Sequence, residues 1–186
     1  MMQNTLQEKI SFSGFGVHSA IFSKIEITPA PADAGIAFVH GDFLTEPIKL
    51  GCEIPLEAMH ATVLKQKSWV LSTVEHLIAA LRMTGIDNAT IFIKGGSEIP
   101  ILDGSAAPFF NRICRVGLVN QGVQKKYLMP RAEISLVDDQ GNRAITLKPL
   151  HDEASYGDLY CDYQASFNHF VLGYKRVLYK VDQQLF

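Results

Sequence analysis

The side chains best suited to chemistry in this sequence are a neighbouring carboxylate and imidazole, Glu75 and His76. An adjacent Glu-His pair is a weak signal of a metal site, much weaker than a His-Glu-x-x-His motif. Two ordinary interpretations compete with it. Glu75 follows Ser72 at the spacing of a capping box, in which its carboxylate would accept from the backbone at the start of a helix. His76 could equally be a hydrogen-bonded interior histidine.

A helix is predicted to carry this pair. Apolar residues recur at helical spacing after Ser72: Val74, Leu77, Ile78 and Leu81. Gly85 is placed to end the helix. The opposite side, around His76, is also apolar or small, so we expect this helix to be buried between two layers. His76 would then point into a second packing interface or a cleft.

The other elements predict an α+β module in which a β-sheet packs on two helices. Strands are predicted at 7–14, 20–29, 35–39, 48–54, 62–65, 68–71 and 89–94. A second helix is predicted at 105–115, with Pro108 in its first turn, where proline is tolerated.

After Gly122 the pattern starts again. A strand ending in proline and followed by a glycine occurs at 25–35 and, with limited similarity, at 144–157. We therefore predict two domains, a first α+β module at 1–122 and a mostly β, truncated second copy at 123–186. A sheet without its covering helices leaves an apolar face unburied.

Composition and charge exclude several classes of protein. Apolar residues make up 47% of the chain and charged residues 19%, which favours a buried core over disorder. A formal net charge of −2 and the lack of a P-loop lysine motif argue against a nucleic-acid module. The three cysteines are widely spaced and predict neither disulfides nor a thiolate zinc site: Cys52, Cys114 and Cys161. Without a signal peptide or transmembrane run, a cytoplasmic protein is expected.

Three motifs together resemble a known enzyme family. They are SGFGVHS at 13–19, STVEHLIAAL at 72–81 with GIDN at 85–88, and EIPILDGSAAPF at 98–109. Their order and spacing are similar to those of the UDP-3-O-acyl-N-acetylglucosamine deacetylases, zinc-dependent amidohydrolases of lipid A (lipopolysaccharide) biosynthesis. A fourth similarity is DYQASFNH at 162–169, where Phe170 replaces the proline of the family's motif.

This resemblance implies a fold and a set of roles. In that family two modules, each a sheet with two helices (ribosomal S5 domain 2-like), pack helix to helix around the active site. Glu75 would be the general base, and His76 one of three protein ligands to a catalytic Zn²⁺ that polarises the substrate carbonyl. His18 matches a family histidine and is a candidate substrate-binding residue without an assigned step. The implied substrate is UDP-3-O-acyl-N-acetylglucosamine.

Part of the family's ligand set has no counterpart in this sequence. The other two zinc ligands come from a His-Lys-x-x-Asp stretch, and no histidine in this chain has an aspartate four positions later. The sequence therefore predicts that this chain by itself hydrolyses no acetamide. One interpretation is a deacetylase chain that needs a complementing C-terminal segment. The alternative is a non-catalytic binding or regulatory partner that self-associates or pairs with an intact deacetylase.

Overall fold

The computed structural model describes residues 1–41, 46–51, 60–67, 69–150 and 158–180. Its contacts divide the described chain into two units, residues 2–124 and residues 125–180. Cys52, His151 and the end of the strand predicted at 48–54 lie outside the described residues, as does the tail after position 180.

The first unit combines strands and helices and confirms the predicted α+β class. In chain order its elements are β1 Met2–Leu6, β2 Ile10–Phe15, β3 Phe22–Pro29, β4 Ile36–His40, β5 Ile48–Lys49, β6 Val63–Gln66, β7 Trp69–Ser72, α1 Glu75–Met83, β8 Ala89–Gly95, α2 Ala107–Val116 and β9 Leu118–Gln124. The strands β2-β3-β8-β4-β5 form one sheet in that order, antiparallel except for the parallel pair β4–β8. β6 pairs with β7, and β1 with β9.

One face of the five-stranded sheet carries the core. Alternate residues of β3 and β8 are fully buried, for example Ile25 opposite Ile93. They belong to the same cluster as Leu77 of α1 and Phe109 of α2. Full burial of such a side chain stabilises a fold by ~1.5–3 kcal/mol. This packing fixes the two helices against the sheet and so sets the position of the first turn of α1.

The helix α1 ends as predicted, and within the first unit one of its sides is buried. Leu77 and Leu81 are buried, and Gly85 ends the helix with a left-handed φ of 80°. Of the residues predicted on the opposite side, Ala80 is buried within the first unit whereas Ala79 and Met83 are exposed, so burial between two layers stays a prediction. An apolar pattern on a helix face predicts that the face can be buried, but it does not identify the element that would cover it.

The capping-box interpretation of Glu75 is also wrong. α1 has no side-chain cap, and Glu75 is its first residue rather than its third. The chain enters the helix through Thr73, whose φ of 58° is left-handed. Such a conformation costs ~1–3 kcal/mol for a β-branched residue and persists only where surrounding contacts impose it. Thr73 is thus held in place by more than the helix.

The second helix begins two residues later than predicted. Ser105 lies before α2, and its hydroxyl accepts a hydrogen bond from the Ala107 N–H at 3.1 Å. Pro108 falls in the first turn as expected. Neither described helix is long and apolar enough to cross a membrane.

The ribbon of β1 and β9 was missed by the sequence reasoning. β1 alternates buried polar residues with other side chains, so it lacks an apolar pattern. Gln3 is nevertheless satisfied, because its side-chain oxygen accepts from Asn88 Nδ2 at 2.8 Å, and Asn88 Nδ2 also donates to Gln121. β9 pairs with β1 and runs through the predicted boundary at 122, which keeps residues up to 124 in the first unit.

The second unit consists, in its described residues, of two antiparallel hairpins. Their strands are β10 Ile134–Val137, β11 Ala144–Leu147, β12 Tyr160–Ser166 and β13 Tyr174–Lys180. In the first hairpin Leu136 lies opposite Ile145, and the two side chains are 68% and 69% exposed. Ser135 and Thr146, paired at the next register position, bring their hydroxyls within 2.8 Å. Each strand of this hairpin therefore presents an apolar and a more polar side.

Candidate active site

The first turn of α1 holds Glu75 and His76 side by side, both half-buried. Glu75 Oε2 accepts a hydrogen bond from the backbone N–H of Thr62 at 3.1 Å. Thr62 directly precedes β6, so the carboxylate connects the start of β6 to the start of α1. Hydrogen bonds to a charged acceptor are roughly twice as strong as neutral ones. The predicted general base is therefore an oriented carboxylate.

Asp103 is the acidic group whose charge interacts with His76. Its Oδ1 accepts hydrogen bonds from both the N–H and the hydroxyl of Ser105, each at 2.9 Å. These two bonds, followed by attraction to His76, hold the pKa of Asp103 below its ordinary value of 3.8. Left-handed backbone at Leu102 and Gly104 (φ 54° and 87°) bends this loop. The third motif thus places a hydrogen-bonded carboxylate within electrostatic range of His76.

Glu98 connects the three motifs, although sequence reasoning gave it no role. Its side chain is 1% exposed. Oε1 accepts from the His18 N–H at 3.1 Å and from the Thr73 hydroxyl at 2.8 Å, and Oε2 accepts from the Ser19 N–H at 2.8 Å. Burial alone would raise the pKa of Glu98, but hydrogen bonds from Ser19, His18 and Thr73 outweigh it and lower the pKa to about 2. Its signal in the sequence is its place as the first residue of the EIPILDGSAAPF motif at 98–109.

His18 lies on the exposed turn between β2 and β3. Its backbone is held by Glu98, which brings this turn to the start of α1, but its proposed contact with substrate stays a prediction. Of the other histidines, His40 is buried with its ring 5.5 Å from that of Trp69, whereas His60 and His169 are exposed. His169 accepts from the Val171 N–H through Nδ1 at 3.2 Å.

The residues described do not by themselves fit a zinc ion. A catalytic zinc has three protein ligands. Within the part of the chain that the structure describes, no group of three His, Cys, Asp or Glu side chains is placed to hold a metal. His76 with Glu75 and the nearby charge of Asp103 is therefore an incomplete donor set, and no metal-dependent step follows from these residues alone.

Comparison with known proteins identifies the family. Residues 3–186 match the model of the UDP-3-O-acyl N-acetylglycosamine deacetylases. The chain is 35% identical over 187 residues to the UDP-3-O-acyl-N-acetylglucosamine deacetylase of Geotalea uraniireducens, 36% over 176 residues to that of Shewanella violacea, and 32% over 188 residues to that of Lawsonia intracellularis. The chain belongs to this family, as its motifs predicted.

The similarity covers nearly all of this chain but only part of each relative. It spans 99%, 92% and 100% of the chain in the three comparisons, and 57%, 54% and 59% of the respective relatives. The chain thus spans a little over half the length of these curated relatives. In each of the three relatives, more than two fifths of the sequence lies outside the stretch that aligns with this chain.

Proposed function

We propose that this chain is a deacetylase of lipid A biosynthesis that supplies part of a hydrolytic site acting on UDP-3-O-acyl-N-acetylglucosamine. The observation that carries the proposal is the first turn of α1, where an oriented carboxylate and an imidazole lie side by side near the charge of Asp103. Hydrolysis of an acetamide needs a group that accepts a proton from the attacking water, and a carboxylate is suited to this role.

Glu75 is the proposed proton acceptor. Its Oε2 accepts a hydrogen bond from the Thr62 N–H, which orients the carboxylate, and a general base must be held in position. His76 is the proposed zinc ligand, and Asp103 is a carboxylate whose charge interacts with it. The remaining zinc ligands would come from outside the described residues.

The alternative is a non-catalytic deacetylase-like partner. It is favoured by one observation, the lack of a three-ligand cluster in the described chain. We also propose that the first unit is a ribosomal S5 domain 2-like module and that residues 125–180 are a partial second copy. The exposed apolar side of its first hairpin supports either self-association or a complementing segment.

The zinc content and turnover of the purified chain test these alternatives. The full-length Geotalea uraniireducens relative serves as the reference, and Glu75→Ala and His76→Ala as the variants. We expect the chain alone to hold far less than one equivalent of zinc and to leave the UDP-sugar intact. Stoichiometric zinc with turnover lost in both variants would show that the chain is complete. Substrate binding without zinc and insensitive to both variants would favour the non-catalytic alternative.

A further inference from the structure

The Glu98 carboxylate holds two separate parts of the first unit at once. The His18 and Ser19 N–H groups bind it from the turn after β2, and the Thr73 hydroxyl binds it from two positions before Glu75. These donors lie 80, 79 and 25 residues from Glu98 in the sequence. A carboxylate bound on both sides fixes one segment relative to the other.

The backbone next to Glu98 makes the same connection. The Ile99 N–H donates to the Ser72 carbonyl and the Ile101 N–H to the Phe15 carbonyl, each at 3.1 Å. The Ser23 hydroxyl donates to the Glu98 carbonyl at 2.7 Å. The segment around Glu98 therefore lies between the end of β2 and the end of β7, the strand that leads into α1.

Gly16 leaves the space that this carboxylate occupies. A Cβ at position 16 would overlap Glu98 Oε2 and crowd the Ser19 hydroxyl. The Gly16 backbone is not left-handed, so the glycine is required for space rather than for conformation. The turn thus closes directly onto the carboxylate, and moving either one must move the other.

We propose that Glu98 is a positioning residue of the site, a claim that rests on the roles proposed for Glu75 and His76. It sets the entry of the chain into α1 through Thr73, and it sets the His18 turn through two backbone N–H groups. Thr73 has a left-handed backbone that its surroundings must impose, and the Glu98 bond is one such restraint. Loss of the carboxylate would shift the first turn of α1 and the His18 turn together.

A test by nuclear magnetic resonance separates this role from one in stability alone. The measured quantities are the hydrogen-exchange rates of the His18 and Ser19 amides and the chemical shifts of the His76 ring protons. None of these measurements requires zinc or turnover. In Glu98→Gln we expect the two amides to exchange about tenfold faster or more, because a charged acceptor is lost. The His76 ring signal should move in the same variant.

Two pairs of variants locate the effect. Thr73→Val removes the hydroxyl but keeps the branched shape, so the His76 signal should move while the His18 and Ser19 amides stay protected. Thr73→Ser keeps the hydroxyl and should restore the wild-type signal. Gly16→Ala should reproduce the Glu98→Gln pattern with the carboxylate intact. Gly51→Ala, whose Cβ meets open space, is the matched control.

An unchanged His76 signal in Thr73→Val and Gly16→Ala, in proteins that still unfold cooperatively, would overturn the proposal. The same result with a lower melting temperature would assign Glu98 to stability alone. Should Glu98→Gln fail to fold, the Thr73 and Gly16 variants still decide the question. Failure of the proposed deacetylase function would appear instead in the zinc and turnover measurements, and would leave these signals unaffected.

Discussion

The Thr62 N–H and the Glu75 carboxylate lie 3.1 Å apart, so the first residue of α1 is bonded to the residue that precedes β6. Because an amide oxygen can accept the same bond, Glu75→Gln should change the free energy of unfolding by less than about 1 kcal/mol. Glu75→Ala loses the acceptor and should cost about 1 kcal/mol more than Glu75→Gln. Urea unfolding of the three proteins checks this.

The same two variants separate chemistry from structure. If Glu75 is the general base, both should lower turnover by roughly 10²–10⁴-fold in a preparation that deacetylates the UDP-sugar. Equal turnover in wild type and Glu75→Gln would show that Glu75 is not the general base, whatever the unfolding measurements show for its hydrogen bond to Thr62.

Acid should destabilise the first unit through Glu98. Its pKa is about 2 in the folded protein against an ordinary value of 4.5, so the folded state binds the proton less readily than the unfolded state. The resulting stability is fully present above pH 4.5 and is lost as the pH falls toward 2. Its size is on the order of 3 kcal/mol. Glu98→Gln should lack this component, so that its unfolding free energy varies less between those pH values than that of the wild type.

Two phenylalanines of the first unit give a matched test of the core. Phe109 of α2 is fully buried, with its ring centre 4.8 Å from that of Phe12, whereas Phe92 of β8 is 38% exposed. Phe109→Ala should cost ~3–5 kcal/mol of unfolding free energy. Phe92→Ala should cost about 1 kcal/mol, the range of a cross-strand contact. Similar costs for the two in urea unfolding would contradict the assigned core.

The exposed hairpin of the second unit should promote association of the chain. Leu136→Asp places a charge on its apolar side and should reduce the average mass measured by sedimentation at high protein concentration. Ser135→Asp, on the other side of the same strand, should leave that mass unchanged. A wild-type chain that stays monomeric at every concentration would argue that self-association has no part in its function.

Much of the local structure follows from sequence periodicity. The spacing of Leu77 and Leu81 predicts α1, Gly85 predicts its end, and alternation in β3 predicts its buried side, because each signal lies within a few neighbouring residues. The order of the central sheet and the pairing of β1 with β9 depend on contacts between distant segments. They could not be inferred from the pattern alone.

The errors in the site have the same physical origin. The capping-box pattern fits Glu75 locally, but its partner is Thr62, which only the tertiary structure brings near. The burial and hydrogen bonding of Glu98 could not be predicted from the sequence. Its donors belong to His18, Ser19 and Thr73, which lie far from it in the chain. The strand β1 was missed because its buried Gln3 is polar and its side chain is satisfied by a hydrogen bond, so β1 shows no apolar alternation.

The most direct test of the central claim is complementation of the proposed incomplete site. The chain is mixed with the part of the Geotalea uraniireducens relative that lies outside the aligned stretch, and zinc content and deacetylation of the UDP-sugar are measured together. We expect about one equivalent of zinc and measurable turnover in the mixture. His76→Ala should lose both, while Glu75→Gln should keep the zinc and lose the turnover. Equal zinc and turnover in the wild-type and His76→Ala mixtures would contradict the proposed role of His76.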